Sequence, residues 1–177
     1  LDVTETIRVR AEGEQIKRGI YRDFPQTYEL KWGFKEVRPF EVIEVMRNGR
    51  FEPFDVSRKR FGSRVRIGSE DTFLPAGVVQ EYVIRYRTNH QLLTDDQGSD
   101  ELYWNVTGNE WGFPILKIEG RVELPGEIEA EKAFAWTGAY GEKGEDSKSE
   151  VNGSVVTAES LETMWAGEGM TMVVRWP

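Results

Sequence analysis

Apolar and polar side chains alternate with a period of two along most of this chain, and that period sets the fold class. In LKIEGRVEL, Leu116, Ile118, Val122 and Leu124 fall on one face with Gly120 between them, and Lys117, Glu119, Arg121 and Glu123 fall on the other. EYVIRYR sets Tyr82, Ile84 and Tyr86 against Glu81, Arg85 and Arg87. SRVRIG sets Val65 and Ile67 against Arg64 and Arg66, and MTMVVRW aligns Met170, Met172, Val174 and Trp176. Successive strand side chains point to opposite faces, so each segment offers one face to a core and one to water. Antiparallel sheets with one wet side have this pattern.

Turn chemistry separates the strands. Asn48-Gly49 lies between EVIEVMR and RFEPFDV, a strong hairpin signal, and Asn152-Gly153 marks a second. Helical spacing is confined to TAESLETMW, where Leu161, Met164 and Trp165 share a face and Thr157 is a candidate cap, enough for one or two turns. The expectation is an all-β fold, a mostly antiparallel β-sandwich with at most one short helix, forming a single domain over residues 1–177. The Gly-, Ser- and charge-rich stretch near 140–153 is expected to be a mobile loop, and TNHQLLTDDQGSD a polar one.

The formal charge of -8 argues against nucleic acid as a partner, because phosphate affinity comes from Lys and Arg. No apolar run reaches the roughly 20 residues of a membrane span. The opening LDVTETIRVR reads as a strand and not as a leader, so the chain is expected to be cut from a longer one.

Catalytic patterns are missing. The chain has no cysteine and one histidine, His90, so neither a thiolate site nor a histidine-cluster metal site can be assembled. The acidic run Asp95, Asp96, Asp100 and Glu101 lacks the spacing of a calcium loop, and no Gly-x-Ser-x-Gly elbow occurs. The expectation is a non-enzymatic protein without cofactor; an enzyme with an unrecognised site remains the alternative.

Two features point to binding. The tryptophans are Trp32, Trp104, Trp111, Trp136, Trp165 and Trp176. Trp104 shares a face with Leu102 and Val106, Trp136 with Phe134, and Trp176 with Val174, so these three read as interior. Trp111, bounded by Gly108, Gly112 and Pro114, is the candidate for an exposed ring that stacks on a sugar, with Asn105 and Asn109 shaping its corner. The second feature is SRKRFGSRVR. Its Arg58, Lys59, Arg60, Arg64 and Arg66 form a basic patch against the overall charge, suited to anionic lipid headgroups or an acidic polymer. In RGIYRDFP, Arg22 and Asp23 are a candidate buried ion pair.

VTETIRV, RGIYRDFP, YVIRYR, DELYWNVTGNEWGFPI, VELP and GEGMTMVVRWP follow one another along nearly the whole chain. Together they resemble the bacterial predicted membrane proteins known as domain of unknown function 2207. The resemblance implies a signal peptide, an extracytoplasmic β-domain and then membrane helices, with this chain as the β-domain. It carries no catalytic residues. The expected function is an extracytoplasmic binding or interaction module of a membrane-anchored parent, with an unknown protein or a cell-envelope polymer as partner. Carbohydrate binding through an exposed tryptophan is the alternative, and the basic patch would face the parent's membrane.

Overall fold

Every regular element among the described residues is a strand, as the alternation predicts. The structure, a computed structural model, describes residues 1–29, 34–94 and 98–177; Trp32, Asp95 and Asp96 lie outside them. The chain divides into two compact units, Leu1–His90 and Gln91–Pro177.

The first unit holds β1 (Asp2–Arg10), β2 (Gly19–Pro25), β3 (Thr27–Glu29), β4 (Lys35–Val37), β5 (Phe40–Arg47), β6 (Arg50–Phe51), β7 (Phe54–Lys59), β8 (Gly62–Gly68) and β9 (Val79–Thr88). One antiparallel sheet runs β1-β9-β5-β6, a second β2-β8-β7, and β3 pairs with β4. Tyr82, Ile84 and Tyr86 of β9 are buried with Val65 and Ile67 of β8. Phe24 of β2 lies 4.8 Å from Tyr86 and 4.4 Å from Phe40 between ring centroids, so the sheets pack face to face. A bulge between Val42 and Glu44 shifts the register of β5, which turns Val45 into the core and leaves Ile43 exposed. At Asn48 and Gly49 φ is +50° and +75°, as the two-residue hairpin turn requires.

The second unit holds β10 (Leu92–Thr94), β11 (Asp100–Asn105), β12 (Glu119–Glu123), β13 (Lys132–Gly138), β14 (Ser147–Asn152), β15 (Val155–Ser160) and β16 (Gly169–Trp176). Its sheets run β10-β11-β16-β13 and β12-β15-β14. Between them lie Leu102, Ile118, Leu124, Val156, Ala158, Met170, Met172, Val174 and Trp176, with Trp104 packed against them. A Cβ on Gly120 would stand 2.2 Å from the sulfur of Met172, so any side chain there would have to displace Met172.

Several expectations give way. Thr157 lies in β15, the central strand of its sheet, and Leu161 to Trp165 form no helix. Ladder pairing on both sides of Thr157, Ala158 and Glu159 outweighs a short helical spacing. Ser147–Asn152 of the stretch read as a loop is strand β14, closed onto β15 by Asn152-Gly153. Leu116 is exposed, because the strand begins only at Glu119 and the side-chain parity does not reach back to it.

Candidate functional site

Strand β16 is the centre of the larger sheet in the second unit, with β11 on one side and β13 on the other. Its inward residues are Met170, Met172, Val174 and Trp176. Thr171, Val173 and Arg175 therefore point to the outer face. The register sets Phe134 and Tyr103 on either side of Val173, and Trp136 and Asn105 on either side of Thr171. These residues share one face of the sheet.

The rings on that face touch. Phe134 and Trp136 lie 6.2 Å apart, nearly parallel at 10°. Tyr103 reaches over the central strand to Trp136 at 6.1 Å. Val173 is buried beneath them; Tyr103 is 48% exposed and Phe134 44%, and Trp136 between them is half-buried. The result is a solvent-facing aromatic surface. Polar groups border it: Nζ of Lys143 stands 4.4 Å over the Trp136 ring, Arg175 donates to Glu101 at 2.7 Å, and Asn105 and Lys132 lie in register with the neighbouring rows. Exposed aromatic surface can take the apolar C–H face of a ring-shaped ligand, although the Tyr103 ring is tilted 43° to Trp136 and Lys143 stands over the Trp136 ring.

Phe134 is thus exposed and Trp136 half-buried on the outer face of the sheet, and neither points into the core, contrary to the expectation. The inward positions of β13 belong to Ala133 and Ala135, which pack against the core. Hydroxyls of Ser147 and Ser149 on β14 donate to the carbonyls of Ala135 and Ala133 at 2.7 and 3.2 Å. The two sheets therefore meet closely at this edge, and small side chains fit between them. In AFAW both parities are apolar, so alternation alone cannot say which faces out.

The corner named from the sequence adjoins this face, and its polar groups are engaged internally. The Asn105 amide donates to Oδ1 of Asn109 at 2.8 Å and its own Oδ1 accepts from the Gly108 N–H at 2.8 Å. Asn109 donates to the carbonyls of Gly138 and Gly167, each at 3.3 Å, tying the end of β13 and the turn before β16 to the loop after β11. Trp111 is half-buried, donates its indole N–H to the Thr107 carbonyl at 2.9 Å and packs on Phe113. Among the described tryptophans Trp165, at 66%, is the most exposed.

The basic patch lies in the first unit and splits in two. On the outer face of the three-stranded sheet, Arg64 makes a paired contact with Asp23 at 2.7 and 2.5 Å. Arg66 pairs with Asp55 and, at 3.1 Å, with Glu70. Arg58, Lys59 and Arg60 stand exposed at the end of the β7–β8 hairpin. Arg22 does not pair with the Asp23 carboxylate; neighbours on a strand face opposite ways. It turns inward to Glu5, whose Oε1 also accepts from the Tyr86 hydroxyl at 2.8 Å. Burial alone would lower the Arg22 pKa, but the Glu5 carboxylate keeps it above its ordinary value.

A family model described as predicted membrane protein (DUF2207) N-terminal domain matches residues 1–176. The uncharacterized protein YciQ of Escherichia coli (strain K12) is 31% identical over 179 residues, taking in 100% of this chain and 27% of that protein. No solved structure matches the chain. Among the described residues no helix is long and apolar enough to cross a membrane, which leaves strands that cross as barrels unaddressed.

Proposed function

The chain belongs to the predicted membrane protein family DUF2207, as its N-terminal domain, and from that premise we propose that it is a non-enzymatic binding module held on the extracytoplasmic side of a bacterial membrane. Its contact surface is the aromatic face of β11, β16 and β13, and its ligand is a saccharide polymer of the cell envelope. The observation that carries this reading is the outward array of Tyr103, Phe134 and Trp136 over a buried Val173. Pyranose rings present flat C–H surface, which gains on the order of 25 cal/mol per Å² when covered by such rings. Their hydroxyls meet the ammonium groups of Lys132 and Lys143 and the Arg175–Glu101 pair at the border. The reading moves the sugar-stacking role from Trp111, half-buried in the loop after β11, to Trp136, half-buried but flanked by the exposed rings of Tyr103 and Phe134.

The test is co-sedimentation of residues 1–177 with insoluble cell-wall polymer. Wild type and Trp111→Phe should pellet together with the polymer, and a Tyr103→Ser/Trp136→Ser double variant should stay in the supernatant. Equal pelleting of all three, or of none, would rule the surface out.

A further inference from the structure

The end of the β7–β8 hairpin joins positive charge to an exposed ring. From Val56 to Arg66 the sequence holds Arg58, Lys59, Arg60, Arg64 and Arg66 and no acid, in a chain whose net charge is -8. Arg64 and Arg66 are neutralised on the sheet face by Asp23, Asp55 and Glu70. No carboxylate pairs with Arg58, Lys59 or Arg60 among the described residues. Beside them Phe61 is 51% exposed, with the Arg60 guanidinium 4.9 Å and Nζ of Lys35 5.8 Å from its ring centre. The tip is held in place, since the Phe61 carbonyl accepts from the backbone N–H groups of Gln26 and Thr27 at 2.8 and 3.0 Å. Exposed Val37 ends β4, the strand paired with β3, and exposed Phe34 immediately precedes that strand.

We infer that this tip is a contact for an anionic lipid bilayer: Arg58, Lys59 and Arg60 take the headgroup phosphates, and Phe61 enters the interfacial layer. Charge complementarity selects the occupant, because a cluster of cations without acids on an acidic protein is suited to a negative surface. An aromatic ring among cations matches the amphipathic boundary of a bilayer. A protein partner with an apolar patch would leave the three cations unmatched. The tip lies within Leu1–His90 and the aromatic face within Gln91–Pro177, so either role can fail alone.

Flotation of residues 1–177 with vesicles tests it. Vesicles of phosphatidylcholine with a quarter phosphatidylglycerol should carry the chain upward at low salt, and pure phosphatidylcholine vesicles should not. Replacing Arg58, Lys59 and Arg60 by Gln should lower partitioning by on the order of 100-fold, at several-fold per cation. Phe61→Ser should also weaken it with the charges intact. A control replaces exposed Arg8, Arg50 and Arg121 by Gln and changes net charge equally; it should float like wild type. Circular dichroism establishes that each variant is folded. The inference is overturned if wild type does not float with the anionic vesicles, if the two triple variants lose binding equally, or if free glycerol phosphate or a soluble acidic polysaccharide binds the tip while vesicles do not.

Discussion

Nε and Nη2 of Arg22 on β2 donate to Oε2 and Oε1 of Glu5 on β1, both at 2.9 Å, and join the two sheets of the first unit through a buried ion pair. Asp23, one residue on, faces the other way and holds Arg64 where water reaches both groups. The two pairs should therefore differ in worth. Arg22→Ala strands the Glu5 carboxylate and should cost roughly 3 to 5 kcal/mol, whereas Asp23→Asn should cost about 1 kcal/mol or less. Urea unfolding curves of both variants check this, and equal losses would contradict it.

Two buried tyrosines make stability fall on the alkaline side. Burial pushes the Tyr82 phenol up to about 12, with Arg47 opposing and Glu52 adding to the shift. Tyr86 is raised further, by burial and by the Glu5 carboxylate that accepts from it. Both ionise near 10 once unfolded. Below that pH their contribution is complete; as pH rises through 10 toward 12 the unfolded chain releases protons that the native one keeps. Stability should then drop by up to about 1.4 kcal/mol per pH unit for each tyrosine. Unfolding curves at pH 8, 10 and 11 measure the slope, and Tyr82→Phe should make it shallower. The Tyr82 hydroxyl has no hydrogen-bond partner among the described residues, so this variant should change stability at pH 8 by less than about 1 kcal/mol.

Gly120 marks where β12 comes closest to the facing sheet. Its replacement by Ala would place a methyl against Met172 and the Val106 side chain, and should destabilise by about 1 to 3 kcal/mol. Gly112 has no atom within 4 Å of a Cβ position, and Ala there should be tolerated. Thermal unfolding of the two variants compares them; indistinguishable midpoints would contradict the close approach.

The sequence made the strands legible where alternation is strict. Tyr82, Ile84 and Tyr86, and Met170 through Trp176, face inward as their parity requires. Three things were out of its reach, each for a physical reason. The β5 bulge breaks parity at Ile43, and a single extra residue in a ladder does not show in the alternation of the strand itself. Partners of Arg22 and Arg64 come from strands distant in sequence, so adjacency suggested Asp23 where the fold supplies Glu5. In β13 both faces are apolar, and only the approach of β14, through Ser147 and Ser149, decides that alanines go in and Phe134 and Trp136 go out. That last decision is what turns an expected piece of core into the candidate site.

The aromatic face is most directly tested by a heteronuclear NMR titration of residues 1–177 with soluble fragments of cell-wall saccharide. The Trp136 indole signal and the backbone amides of Tyr103, Thr171 and Phe134 should shift together in a saturable way, Trp111 should stay still, and Trp136→Ser should weaken binding at least tenfold, the effect of losing about 1.4 kcal/mol or more from a central aromatic contact. Saturable shifts centred on Trp111 or elsewhere, with Trp136 unmoved, would contradict the proposal.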